Sequence, residues 1–209
     1  MKTLIFDFDG TIADSFGILV EVFEQITKRQ AKFSAEEIER LRGLQARQIL
    51  KYLKIRRWQV PRLLVLGRRA IGGQIDNIRP VSGLPRVLKQ LHETGYPMLI
   101  LSTNSQANIQ RFLDKHQLSQ YFDGVYGGVG ILNKSAAIKK LIAKQKLAAS
   151  DCLYIGDELR DILAARKAKI NYISAGWGFN SVAALKLEKP MLLVEKPAEL
   201  ISAIKKLSG

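Results

Sequence analysis

The chain has 209 residues, is 47% apolar and 25% charged, and carries a net charge of +14. This is the balance of an ordinary folded chain, and no apolar run reaches the roughly 18–20 residues that span a bilayer. Cys152 is the single cysteine, which excludes an internal disulfide, while the positive balance favours anionic partners: phosphorylated metabolites, nucleic acid or an acidic membrane surface.

In chain order, Thr3 to Asp7 is an apolar run that ends in polar residues and Gly10, and it reads as a buried strand entering a loop. An acidic residue inside this first apolar stretch is not expected of a secretion signal, so a cytoplasmic location is expected. Residues 15–79 contain no strand signature and read as helical throughout, divided by turn signals near Ser34, Gly43, Pro61 and Gly72-Gly73 into three to five helices. With 14 basic and 6 acidic residues, this segment carries about +8 of the total charge. Strands and helices then alternate. A helix is expected from Leu84 to Thr94, capped by Ser82, then strands at Tyr96–Leu101 and Gly124–Tyr126 around a helix at Gln106–His116. A helix at Ser135–Lys146 and a strand at Cys152–Ile155 follow, then a helix at Asp161–Ala168, strands at Ile170–Ile173 and Met191–Val194, and a closing helix at Pro197–Leu207. This alternation predicts a three-layer α/β fold with a parallel sheet covered on both faces. Residues 1–14 and 80–209 form the expected core, and 15–79 an inserted helical cap. Ligands of such sheets bind beyond the carboxyl ends of the strands.

Those strand ends carry the chemistry. Asp7-Phe8-Asp9-Gly10-Thr11 leaves the first strand with two carboxylates one residue apart. One can attack phosphorus while the other manages protons. Gly10 permits a tight turn and a close backbone approach to an anion. Cys152 opens an apolar strand and reads as a buried structural thiol, and His92 and His116 read as surface residues.

The string IFDFDGTIADS resembles the opening of the haloacid dehalogenase superfamily, in its phosphatase branch. The resemblance continues in order through Thr103 in LILSTNS, Lys134 in LNKSAAI, and Asp157 and Asp161 in YIGDELRD. It implies a Rossmann-like core under a cap and a Mg2+-dependent phosphatase acting on a small phosphorylated metabolite. By that resemblance Asp7 is the nucleophile and Asp9 the acid–base, with its backbone carbonyl on magnesium. Asp157 is a metal carboxylate, and Asp161 either reaches the metal through water or orients Lys134. Lys134 and Thr103 steady the phosphoryl oxygens, and Gly10, Thr11 and Asn104 complete the substrate cradle. Asp7, Asp9, Asp157 and Asp161 make up the expected metal set. Thr103 also admits a reading as a helix N-cap, and Lys134 as a solvated lysine beside Lys139, Lys140 and Lys144. Asp9 favours phosphoryl transfer over dehalogenation, because dehalogenases of the family lack it.

Further strings are similar to the phosphoglycolate phosphatase group: ISAGWGFNS at 173–181, KPAELISAI at 196–204 and LRGLQARQIL at 41–50. The last makes Arg42 and Arg47 candidates for a substrate carboxylate or phosphate. A phosphosugar mutase with the same site is the alternative reaction. Lys54, Arg56, Arg57, Arg62, Arg68 and Arg69, mixed with Tyr52 and Trp58, leave room for a nucleic acid or other polyanion contact.

Overall fold

The computed structural model describes residues 1–28, 31–130 and 133–208, without the side chains of Ala46, Leu64, Arg68 and Ser208, so the Arg68 side chain lies outside the described residues. Six strands form one parallel sheet: β1 (Thr3–Phe6), β2 (Met98–Leu101), β3 (Gly124–Tyr126), β4 (Cys152–Gly156), β5 (Asn171–Ala175) and β6 (Leu192–Val194), in the order β3-β2-β1-β4-β5-β6. Leu4 pairs with Met98 on one side and with Leu153 on the other, which puts β1 at the centre.

Successive side chains of a strand face opposite ways, and the core divides accordingly. Leu4, Phe6, Met98, Ile100, Leu153 and Ile155 share one cluster with α5 (Leu84–Glu93), α6 (Gln106–Lys115) and α10 (Leu200–Ser208). Ile5, Leu99, Leu101, Cys152 and Tyr154 share the other with α7 (Lys134–Lys144), α8 (Leu159–Ala168) and α9 (Val182–Leu187). Burial on both faces is why these strands read as continuous apolar runs. Cys152 lies in this core, where burial pushes its thiol up to about 11, so it is a packing residue.

Between β1 and α5 lie α1 (Phe16–Thr27), α2 (Ala35–Arg42), α3 (Ala46–Tyr52) and α4 (Val60–Gln74). Ser34 caps α2, accepting from the Glu37 N–H while Glu37 accepts from the Ser34 N–H. The turn signals near Pro61 and Gly72-Gly73 fall at helix boundaries, and one local expectation differs from the structure. Pro61 sits in the first turn of α4, where its missing N–H costs nothing. Gly72 and Gly73 lie in the last turn of α4, which ends at Gln74. Gly83, with φ of 81°, holds the N-cap position of α5 that Ser82 was expected to hold.

Val20, Phe23, Phe33, Leu41 and Ile49 of the helical segment form their own cluster, which Phe179 of the β5–α9 loop joins. The two passages between the segment and the sheet run side by side: the Asp14 N–H donates to the Arg79 carbonyl at 2.9 Å and the Val81 N–H to the Ile12 carbonyl at 2.9 Å. None of the described helices is long and apolar enough to cross a membrane. His116 packs against Phe112, and its Nε2 lies 2.9 Å from the Ile78 carbonyl, so it has a partner the sequence did not announce.

Candidate active site

The carboxyl ends of β1, β2 and β4 and the start of α7 converge on one buried cluster. Asp7 follows β1 directly. One of its oxygens accepts from the Phe8 N–H at 2.8 Å and the other from Lys134 Nζ at 2.6 Å. Lys134 is the first residue of α7 and is buried, so it is not a solvated lysine. Its ammonium also donates to Asp161 Oδ1 and lies 5.4 Å from the centre of the Tyr154 ring. The second Asp161 oxygen accepts from the Glu158 N–H at 3.0 Å. Asp161 is thus placed to orient Lys134, one of the two roles open for it.

Asp157 follows β4 and is fully buried. Its two oxygens accept from the Thr11 hydroxyl at 2.6 Å and from the Phe179 N–H at 2.6 Å. Gly10 (φ 77°) and Gly178 both press on this carboxylate, and a Cβ at either would overlap Asp157. The Gly10 N–H is taken by the Ala13 carbonyl at 2.9 Å. Gly10 therefore supplies room, and Thr11 holds Asp157.

Asp9 is half-buried beside them. Its carboxylate accepts from the Ser15 hydroxyl at 3.1 Å and from Asn104 Nδ2 at 3.3 Å. Asn104 is itself oriented by Asn108 Nδ2, 3.0 Å from its Oδ1. Ser105, not Thr103, caps α6 by accepting from the Asn108 N–H at 3.2 Å. Thr103 is half-buried at the end of β2, and its hydroxyl meets no partner among the described residues.

The helical segment supplies Arg42. Its guanidinium donates to the Gly178 carbonyl at 3.0 Å and the Phe179 carbonyl at 3.3 Å, and it pairs with Glu39 at 3.4 Å. Asn180 returns the contact, donating to the Arg42 carbonyl at 2.8 Å and accepting from the Leu159 N–H at 2.9 Å. Expected at a substrate anion, Arg42 is placed as a strap between the segment and the loop that holds Asp157. Arg47 is exposed on α3. Ser15, Asn108, Gly178, Asn180 and Arg160 were given no role from the sequence: Gly178 and Asn180 meet residues distant in the chain, while the contacts of Ser15, Asn108 and Arg160 with Asp9, Asn104 and Glu158 are local but belong to no motif. Ser15, Arg160, Gly178 and Asn180 all stand inside the strings IFDFDGTIADS, YIGDELRD and ISAGWGFNS, whereas Asn108 lies outside them.

The charges of the cluster do not balance. Asp7, Asp157 and Asp161 bring carboxylate oxygens within 4.8 Å of one another, and each of the three residues is buried. Desolvation by burial pushes Asp7 up to about 7 against the pull of Lys134, with Asp161 adding to the rise. Asp157 is held well above the ordinary range by burial and then by the charges of Glu158, Asp161 and Asp7; the Phe179 N–H opposes this. Burial also lifts Asp9 to about 6, moderated by the Ser15 and Asn104 hydrogen bonds. Asp157 faces only neutral donors, and an all-oxygen donor set with excess negative charge suits a hard divalent cation. The residues present therefore fit such a metal.

A pH dependence follows. These carboxyls hold protons more tightly folded than unfolded between the ordinary 3.8 and about 7. Stability of the metal-free protein thus falls as pH rises through that window. Melting in chelator is expected to occur at a higher temperature at pH 5 than at pH 8. Added Mg2+ is expected to raise the midpoint more at pH 8, where it does not compete with protons. Equal midpoints at both pH values, with or without the ion, would contradict this charge balance.

The model for haloacid dehalogenase-like hydrolases matches residues 4–175. A phosphoglycolate phosphatase of Synechococcus elongatus is 32% identical over 212 residues, covering 99% of each chain. A phosphoglycolate phosphatase of Vibrio parahaemolyticus is 24% identical, covering 98% of this chain and 96% of that one. Among solved structures, a haloacid dehalogenase-like hydrolase from Streptococcus pneumoniae superposes with a TM-score of 0.79 at 22% identity, over 98% of both chains.

Proposed function

Because the chain belongs to the haloacid dehalogenase-like hydrolase family and is a phosphatase similar to phosphoglycolate phosphatases, we propose that it hydrolyses small, phosphoglycolate-like phosphate monoesters in the cytoplasm, with Mg2+, through an aspartyl-phosphate on Asp7. The observation that carries this reading is the setting of Asp7, whose carboxylate lies between the Phe8 N–H and the Lys134 ammonium, two residues before Asp9.

Asp7 attacks phosphorus and the ester P–O bond breaks, with the proton of the Asp9 carboxyl passing to the leaving alkoxide. Asp9, now ionised, takes a proton from water. The water oxygen attacks phosphorus, the Asp7–phosphorus link breaks, and inorganic phosphate leaves. Lys134 and the free Thr103 hydroxyl face the charge that builds on the phosphoryl oxygens. Asn104 and Ser15 hold the Asp9 carboxyl in place. Residues 15–79 act as the cap, held to the Asp157 loop through Arg42, and exclude water while Asp7 is phosphorylated.

Asp7, Asp157 and the Asp9 carbonyl would hold Mg2+, with Asp161 behind Lys134; the ion when bound neutralises phosphoryl charge and favours ionised Asp7. That last effect matters for the proton inventory. The reaction needs Asp7 ionised and Asp9 protonated, yet without a cation Asp7 stands at about 7 and Asp9 at about 6. Asp7 belongs to the carboxylate cluster that would hold the ion and the Asp9 side chain does not, so a bound cation would favour ionised Asp7 more than ionised Asp9.

Purified protein with Mg2+ is expected to release phosphate from phosphoglycolate and from an aryl phosphate. Asp7→Asn is expected to lose at least about a thousandfold in kcat. Full activity in Asp7→Asn, or turnover independent of metal, overturns the proposal. Phosphate release with no sugar bisphosphate present separates it from the mutase reaction.

One observation keeps polyanion contact in view as a second reading: Arg40 to Ile75 contains ten basic residues and no acidic one, and Trp58 stands 70% exposed among them. That reading predicts retention on heparin that weakens steeply with salt; negligible retention that salt does not change removes it.

A further inference from the structure

The mechanism leaves one cation at the site without a part. Arg160 stands in the first turn of α8 between Asp157 and Asp161, its side chain 29% exposed. One terminal nitrogen, Nη2, donates to Glu158 Oε1. Among the described residues its buried Nε meets no acceptor and Nη1 has no partner. A guanidinium is always charged, and a buried donor such as Nε is costly unless an acceptor arrives. Arg160 is also close enough to the reacting groups for its charge to lower the pKa of Asp7 and of Asp9. The fold thus holds an arginine close to the site carboxyls with a buried donor that the described residues leave unused, whereas Nε, Nη1 and Nη2 of Arg42 each have a partner, in Phe179, Glu39 and Gly178.

We propose that Arg160 is a substrate-binding residue whose unaccepted N–H groups take an oxyanion of the substrate, either a phosphoryl oxygen or the carboxylate of a phosphoglycolate-like ester. This rests on the phosphatase reading above. Glu158 positions the guanidinium by holding Nη2. The ligand oxygen supplies the acceptor that Nε or Nη1 lacks, and a charge-assisted pair of this kind is among the stronger hydrogen bonds.

The test compares wild type, Arg160→Gln and Arg160→Lys with Mg2+, using phosphoglycolate and an uncarboxylated aryl phosphate as substrates. Calorimetric titration with inorganic phosphate and with phosphoglycolate in an Asp7→Asn background reads binding without turnover. Arg160→Gln is expected to lose about 10–100-fold in affinity or kcat/KM, with Arg160→Lys recovering part of it. Loss on both substrates together with weaker phosphate binding assigns the phosphoryl oxygen. Loss on phosphoglycolate alone assigns the carboxylate. Values within about twofold of wild type for both substrates and both titrations overturn the proposal, as does a fall in melting temperature with binding by the folded protein unchanged. If wild type turns over neither substrate, the phosphatase reading fails on its own, and the titrations still decide the role of Arg160.

Discussion

Lys134→Met is expected to lose activity by about a hundredfold to a thousandfold or more, as removal of a donor to a developing oxyanion does, and to destabilise the fold in a pH-dependent way. The ammonium is the shared partner of Asp7 and Asp161, all three being buried. Methionine keeps much of the volume and removes the charge, leaving two buried carboxylates without their counterion. Breaking such a pair from one side costs about 3–5 kcal/mol where the remaining charge cannot be relieved. Relief is available here by protonation, since Asp7 is already held at about 7 with the lysine present. Without it the carboxyl rises further and binds a proton more readily in the folded state, so the loss of stability is largest at high pH and shrinks as pH falls. Urea denaturation at pH 6 and pH 8.5 measures this, with the exposed Lys139 of the same helix, changed to Met, as control. Equal losses at both pH values would mean that Lys134 acts through packing, not charge.

Gly178→Ala is the second large effect, and it arises outside the catalytic side chains. A Cβ at position 178 would overlap the Oδ2, Cγ and Cβ of Asp157 at once. Asp157 cannot simply swing away, because Thr11 and the Phe179 N–H hold its two oxygens. The 177–179 loop must move instead, and with it go the Phe179 N–H and the Arg42 contacts to the Gly178 and Phe179 carbonyls. The expected result is a rise in the Mg2+ concentration for half-maximal activity of at least tenfold, as loss of support around a metal ligand commonly gives, with a stability cost of about 1–3 kcal/mol for overpacking. Gly67→Ala, where a Cβ meets open space within α4, is expected to be neutral or to stabilise by up to about 1 kcal/mol. A magnesium titration of both variants decides it: superimposable curves for Gly178→Ala and wild type would mean that the loop does not set the position of Asp157.

These two sites also mark what was legible in the sequence. The six strands appear close to their expected positions because parallel strands buried on both faces are written as apolar runs. Asp7, Asp9, Lys134 and Asp157 were legible because each stands at a strand end or helix start within a recognisable string. Gly178 against Asp157, and Arg42 against the Gly178 carbonyl across 136 residues, were not legible, since no periodicity or local motif encodes a contact between distant loops. The helix α9 escaped because six residues are too few for a hydrophobic period to emerge. Charge misled for another reason. The arginines of the helical segment look alike in sequence, yet Arg42 is a strap, while Arg160, outside the segment, keeps a buried Nε without a partner among the described residues.

The most direct test of the account is acid quenching of the wild-type protein during a single turnover with Mg2+, followed by peptide mapping. The account predicts a phosphorylated species on the peptide carrying Asp7 that rises before inorganic phosphate appears and decays as it accumulates. Release of phosphate with no phosphorylated protein at any time point, or phosphate mapped to another side chain, would contradict it.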